Sequence, residues 1–301
     1  MAVVMTSALE TLRRRAGELL FARVAGPEGP RNRQAIHGTP GPRWFPDGSP
    51  VRRVHGDSAM FVGGLSALLL QSLHPLAMAA VAAHSGFRGD PWGRLQRTST
   101  FLATTTYGTA ESARSACERL NAVHARIEGV TDDGDHYRAS DPHLLEWVHI
   151  AEVHSFLRAH QEFGAHPLTD AECDGYVAGT ARIAEALGVP SPPRSVAALS
   201  ARLGEYRTEL RCTPEARETT RYLLLRPPVP AAALPLYGAL ASNAVILLPR
   251  WAASELGLPR WAAAERWALK PAGRAVTRLI GWAMAEPEPT GGRSGGSPAP
   301  G

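Results

Sequence analysis

Lysine is almost absent from this 301-residue chain, and cysteine is scarce. The single lysine, Lys270, precedes a proline near the C-terminus and is a poor candidate for Schiff-base chemistry. The three cysteines, Cys117, Cys173 and Cys212, are odd in number, and their spacing matches neither a disulfide framework nor a zinc motif. Free thiols are typical of a reducing compartment, so the cysteines favour a cytoplasmic location.

Charge of one sign is not concentrated anywhere in the chain. The net charge of +4 arises from 32 basic and 28 acidic side chains that are spread along the sequence, which argues against a nucleic-acid partner. A hydrophobic share of 44% is typical of a globular protein. The N-terminus lacks the pattern of a secretory signal, because its arginines follow the short apolar start instead of preceding a longer apolar run.

The spacing of apolar residues indicates an all-α protein with one large domain. We expect this domain at residues 51–285, preceded by an N-terminal helix and an irregular segment at 1–50 that pack on it. Residues 286–301, rich in Gly, Ser and Pro, are predicted to be a disordered tail. No alternation typical of a β-strand is present.

Leucines of the N-terminal helix, predicted over residues 7–24, are expected to face the core. Leu9, Leu12 and Leu19 belong to this apolar face, for which a membrane surface is the alternative partner. Peripheral membrane contact is therefore conceivable but is not the favoured interpretation. Residues 26–50 have no sustained period and predict an irregular segment.

Two long stretches, 58–87 and 227–249, contain no Asp, Glu, Lys or Arg. The first includes a His-Pro pair and the second is interrupted by prolines, so both predict buried helices of a helical protein better than membrane spans.

Helix starts are marked by capping residues through the middle of the chain. The caps predict helices from Asp90 to about Thr105, from Thr109 to residue 127 or 128, and from Ser140–Pro142 to Gly164. Further starts are predicted at Thr169, where Glu172 completes a capping box, and at Thr213.

One histidine lies beside the apolar stripe of the helix predicted from Thr109. His124 follows Leu120 by four residues, so it lies on or at the edge of the buried face. Such an imidazole either bonds a backbone carbonyl or offers a nitrogen to a metal. On the preceding helix Arg94 and Thr98 share one face, which suits either an anionic cofactor or an ordinary surface ion pair.

Four blocks of sequence, spread over residues 51–282, resemble the MpaB-type oxygenase family, which includes the bacterial latex clearing proteins, or rubber oxygenases. The blocks are LLLQSLHPLAM at 68–78, DPWGRLQRT at 90–98, VHARI at 123–127 and LEWVH at 145–149. The resemblance implies an α-helical fold around haem b, an iron-ligating histidine on a helix, and oxidation that depends on O₂.

The resemblance also implies roles for individual residues. It assigns the proximal iron ligand to His124 and places Arg94, Arg97 and Thr98 at the catalytic side of the haem. Where rubber oxygenases have a distal lysine this chain has Arg97, so a lysine-capped haem is not expected. The catalytic glutamate of rubber oxygenases has no counterpart here, because residues 73–83 contain no acid.

The remaining histidines receive weaker interpretations. His74, before a helix-breaking proline, is expected either to line the haem pocket or to repair the break. His149 is expected to contact the haem or a residue that does. We expect His154 and His160 to be on the helix surface, and no role is assigned to His37, His55, His136, His143 or His166.

The sequence therefore predicts a haem b-dependent oxygenase that acts on a hydrophobic small molecule or isoprenoid-like substrate with O₂. One alternative is a haem-binding or lipid-binding protein without turnover. Another is a non-haem di-iron protein, which needs two Glu-x-x-His motifs, and the chain offers one at Glu146 and His149.

Overall fold

A computed structural model describes residues 2–84 and 89–285, and these residues are almost entirely helical. The predicted tail at 286–301 and residues 85–88 of the first charge-free stretch lie outside this part. The helices in the first half are α1 (Ala2–Ala25), α2 (Gly29–Gly38), α3 (Pro50–His55), α4 (Met60–Gln71), α5 (Pro75–His84), α6 (Pro91–Tyr107) and α7 (Ala110–His124).

The second half begins with a small hairpin. Its strands are β1 (Glu128–Val130) and β2 (His136–Arg138), paired antiparallel. The helices that follow are α8 (Pro142–Phe163), α9 (Asp170–Ala186), α10 (Val196–Tyr206), α11 (Pro214–Leu225), α12 (Leu234–Leu247), α13 (Arg250–Glu255), α14 (Ala262–Ala264) and α15 (Lys270–Met284). A 3₁₀ turn at Ala231–Ala233 precedes α12, and a π-helical turn at Glu265–Leu269 leads into α15.

The caps that the sequence predicts are present. Asp90 accepts a hydrogen bond from the Gly93 backbone, and Thr109 accepts one from Ser112, so α6 and α7 begin where expected. The capping box of Thr169 and Glu172 is complete at the start of α9. These bonds satisfy backbone N–H groups that a helix start leaves without an internal partner.

The core is built on a close contact between α4 and α8. Small residues allow it, because a Cβ added at Gly63 would lie 3.1 Å from the Ala159 Cβ and 3.2 Å from the Phe156 Cα. Ala151, Ser155 and Ala159 follow one another at four-residue steps on α8 and are fully buried. α8 also packs on α3, α9, α10 and α12, so most of its circumference is covered by protein.

The helix break at Pro75 is a sharp corner. α4 and α5 are bent by 109° relative to each other, and two carbonyls at the corner are bonded from distant parts of the chain. The Trp147 indole N–H donates to the Gln71 carbonyl at 3.0 Å, and the Arg211 backbone N–H donates to the Leu73 carbonyl at 2.9 Å. The break is therefore repaired by Trp147 and Arg211, and not by the His74 side chain.

No single helix of residues 2–84 and 89–285 is long and apolar enough to cross a membrane. α4 and α5 together meet the length and composition required, but the corner separates them. Both charge-free stretches contain buried helices, as predicted: α4 packs on α8, and α12 packs on α4 and α15.

Several expectations about the N-terminal part and the connections are wrong. Leu9, Leu12 and Leu19 are exposed on α1, whose packing against α15 uses other residues. The segment 26–50 is not wholly irregular, because a proline near its first turn starts α2. α7 ends at His124, since the chain then turns into β1, a strand too short to show alternation in the sequence.

The corner provides a test of the contact that fixes it. Trp147→Phe should lower the free energy of unfolding by about 1–3 kcal/mol more than Trp44→Phe, measured by urea denaturation. Both tryptophans are buried, but the Trp44 indole nitrogen has no hydrogen-bond partner in the described part of the chain. Equal losses in the two variants would show that the hydrogen bond to Gln71 contributes nothing.

Candidate active site

The name slot is used for the region between the α6–α7 hairpin and the α4–α8 pair. The α6–α7 hairpin packs on α1, α2, α3 and α9, whereas α4 and α8 pack on each other. The backbones of α6 and α7 stay further from α4 and α8 than those of directly packed helices do. Half-buried side chains of α4, α6 and α8 pack against the buried core here, among them Leu65, Leu102 and Val148.

Arg94 and Glu152 interact electrostatically across the slot. Arg94 on α6 and Glu152 on α8 are half-buried, and each acts on the pKa of the other. Burial raises the pKa of the Glu152 carboxyl to about 7, although the Arg94 charge opposes the shift. Burial likewise lowers the pKa of Arg94, with the Glu152 charge opposing. Near neutral pH Glu152 therefore exchanges a proton readily, which is the property of a general acid or base.

A polar network lies behind Glu152. The Glu152 charge contributes to raising the pKa of Tyr176 on α9, after the larger effect of burial. The Tyr176 hydroxyl lies 3.2 Å from the His55 Nε2, and the Thr106 Oγ1 lies 2.8 Å from the His55 Nδ1. Burial lowers the pKa of His55 to about 3, so this imidazole is neutral and connects two hydroxyl groups.

His149 lies one turn before Glu152 on the same face of α8. Its Nε2 is buried and has no hydrogen-bond partner among the described residues, and burial lowers its pKa to about 4. A neutral imidazole with an unsatisfied nitrogen is available to a ligand. The expectation that His149 contacts the haem or a residue that does stays a prediction.

His124 and Arg94 are at similar distances along their helices from the turn between α6 and α7. Arg94 precedes the end of α6 by 13 residues, and His124 follows the start of α7 by 14 residues. Both therefore lie about 20 Å from the turn between the helices. The His124 Nδ1 is buried and unbonded within the described part of the protein, and burial lowers the pKa of the ring.

Two of the expected catalytic side chains are not buried. The Arg97 guanidinium is exposed and lies 3.4 Å from the Asp90 carboxylate, on the outer side of α6. There it borders a surface groove of about 570 Å³ between α6, α7 and the α1–α2 connection. Thr98 follows Arg94 by one turn on the same face, and it is exposed. Of the three, only Arg94 is held inside by its surroundings.

His74 belongs to a different part of the molecule. Its ring lies 6.0 Å from the His143 ring and 6.2 Å from the Trp147 ring, at the corner between α4 and α5. The structure thus groups it with the start of α8 and not with Arg94 or Glu152.

Two histidines of α8 were misplaced by the sequence interpretation. His160 is buried beside Asp57, with its Nδ1 3.4 Å from the carboxylate, and His154 has a buried Nε2. Both were expected on a helix surface. The expectation is wrong because α8 is covered on most sides, so a polar residue on it does not mark solvent.

Glu152 is the site residue that sequence reasoning missed. The sequence interpretation considered an acid only in the segment 73–83, which contains none. Glu152 is instead a half-buried acid on α8. The only local signal is that Glu152 follows His149 by three residues, on the face that carries the His-containing block.

Comparison with known families assigns the chain. Residues 52–282 match the family model described as "ER-bound oxygenase mpaB/B′/Rubber oxygenase, catalytic domain". The chain belongs to this family. The mpaB/rubber oxygenase match covers the slot, the Arg94–Glu152 pair and the three histidines His74, His124 and His149. Comparison with curated proteins and with solved structures gives no significant match.

The raised pKa of Glu152 predicts a pH dependence of stability. The unfolded carboxyl ionises near 4.5 and the folded one near 7, so between these values only the folded state holds the proton. The free energy of unfolding should therefore fall as pH rises through this window, by up to about 3 kcal/mol.

Glu152→Gln isolates this effect. The variant should gain stability relative to the parent chain between pH 4.5 and pH 7, measured by urea denaturation at several pH values. Buried histidines with lowered pKa act in the opposite direction, but they are present in both proteins and cancel. A stability difference that does not change with pH would contradict the assignment.

Proposed function

We propose that this chain is a haem b-dependent oxygenase that acts on a hydrophobic small molecule or isoprenoid-like substrate. The observation that carries the proposal is the buried His124 Nδ1 without a hydrogen-bond partner among the described residues, together with the electrostatic interaction of Arg94 with Glu152. Family membership supports an oxygenase in general. The haem and the substrate class are the additional steps proposed here.

The residues present fit a haem group. A ligating imidazole must be neutral, and burial keeps His124 in that form with an unbonded Nδ1. Arg94 supplies a positive charge that a haem carboxylate would bind. When bound, haem iron supplies the O₂ chemistry that amino-acid side chains lack.

Each residue then has a defined task. His124 would hold the iron through a ring nitrogen, and Arg94 would offer its guanidinium to a propionate. Glu152, with its pKa near 7, takes up or releases a proton beside Arg94. Apolar side chains on α4, such as Leu65 and Leu68, exclude water and contact a hydrophobic substrate.

A haem-binding or lipid-binding role without turnover is the second candidate. The same slot and the same imidazole would serve it, and Glu152 distinguishes the two, because a carrier does not need a buried proton donor. The di-iron alternative has less support. Glu146 bonds Tyr206 at 3.0 Å and Arg202 at 3.2 Å, and no group of metal-ligating side chains within residues 2–84 and 89–285 includes Glu146 or His149.

His124→Ala should abolish or strongly reduce haem binding. Haem per chain and the Soret absorbance of the purified protein measure this. His136→Ala, which changes an exposed histidine of β2, is the matched control and should bind haem normally. A normal haem content and spectrum in His124→Ala would overturn the assignment of the ligand.

Arg94 and Arg97 can be distinguished in a second experiment. Arg94→Gln should raise the dissociation constant for haem titrated into the haem-free chain by about 10- to 100-fold, since it removes a charge-assisted hydrogen bond. Arg97→Gln should leave this constant unchanged, because its guanidinium points outward to Asp90. The reverse result would return Arg97 to the role implied by the family resemblance.

A further inference from the structure

A second cluster of ligand atoms lies at the corner between α4 and α5. His74 occupies the corner, His143 is the second residue of α8, and Glu209 follows α10. One nitrogen or oxygen of each residue lies within 4.8 Å of those of the other two. Within the described part of the chain, no other such group of three or more His, Cys, Asp or Glu residues occurs.

The cluster is joined through one carboxylate oxygen. The Glu209 Oε2 lies 2.7 Å from the His143 Nε2 and 3.5 Å from the His74 Nε2. The longer distance exceeds that of a hydrogen bond, so it is an electrostatic contact only. The carboxylate is thus positioned between two imidazoles, as a shared ligand to one ion would require.

The His74 side chain is the unusual member. It is 2% exposed, yet neither ring nitrogen has a hydrogen-bond partner among the described residues. A buried imidazole with both nitrogens unsatisfied costs free energy, and native structures rarely leave it so. A metal ion at the cluster would give the Nε2 its missing partner.

Residues around His143 hold it as a ligating histidine is usually held. The His143 Nδ1 lies 3.1 Å from the Tyr206 hydroxyl, and the two rings stack at 4.5 Å. The Tyr206 hydroxyl in turn donates to the Glu146 Oε2 at 3.0 Å, while Arg202 contacts the other carboxylate oxygen. These contacts hold the His143 ring in place, and an ion bound at Nε2 would replace the hydrogen bond that joins Nε2 to Glu209.

We propose that His74, His143 and Glu209 form a binding site for a divalent first-row transition metal ion, with Zn²⁺ as the ion that fits best. Two imidazoles and a carboxylate are a donor set that Zn²⁺ accepts, with a solvent molecule as fourth ligand. His143 and Glu209 are exposed, so the fourth position opens to solvent. Calcium and magnesium, which prefer oxygen ligands, fit poorly.

This site is separate from the slot. His143 and His149 are six residues apart on α8, about 9 Å along the helix axis, and point to different faces. The proposal therefore does not depend on haem binding. An ion here would connect the corner, the start of α8 and the segment after α10, and would stabilise the folded state by mass action.

The test is a Zn²⁺ titration of the full chain after treatment with a chelator. Calorimetry should give one Zn²⁺ per chain, and the melting temperature should rise with Zn²⁺. His143→Ala and Glu209→Gln change exposed residues and should fold, while their Zn²⁺ affinity falls by at least about tenfold. His166→Ala, another exposed histidine, should bind as the parent chain does.

Tyr206→Phe tests the positioning of His143. It removes the hydroxyl that lies 3.1 Å from the His143 Nδ1, so it should weaken Zn²⁺ binding by about 10- to 100-fold with the stoichiometry unchanged. Absence of stoichiometric binding to the parent chain would overturn the proposal. So would equal affinity in the parent chain, His143→Ala and Glu209→Gln, because the ion would then be bound elsewhere.

Discussion

The close packing of α4 on α8 is the contact on which the rest of the structure depends. Gly63 lacks the side chain that would separate the two helices, and Ala151, Ser155 and Ala159 present a smooth surface to it. Because α4 occupies this face of α8, other faces remain for α3, α9, α10 and α12. α8 is therefore the central helix of the protein, and it carries residues of both proposed sites.

Burial of α8 explains the pKa shifts of Glu152 and His149. Where α8 is covered by protein, a charge has little water to solvate it, so burial favours the neutral form of a carboxyl or an imidazole. Glu152 and His149 show shifts in these opposite directions. At the start of α8, where solvent is within reach, His143 instead lies beside a carboxylate. The buried part of α8 is thus suited to proton exchange, and its solvent-exposed start is suited to binding an ion.

Local features of the fold could be predicted from the sequence, and long-range ones could not. The starts of α6, α7 and α9 depend on a cap and the two or three residues after it, so Asp90, Thr109 and Thr169 were sufficient. Glu152 and Arg94 are 58 residues apart in sequence, so their interaction depends on how α6 and α8 face each other. His160 was misjudged for the same reason: its burial is decided by neighbours that no local pattern reveals.

The corner at Pro75 has a consequence for the order of folding. Its carbonyls are bonded by a side chain 76 residues later and by the backbone of Arg211, further still along the chain. Until those segments arrive, the corner exposes polar groups between two apolar helices, and loop-closure entropy opposes the contacts that would cover them. We expect the α4–α5 corner to form late, after α8 has docked. Until most of the domain has been synthesised, the nascent chain then carries two apolar helices whose corner carbonyls are not yet bonded.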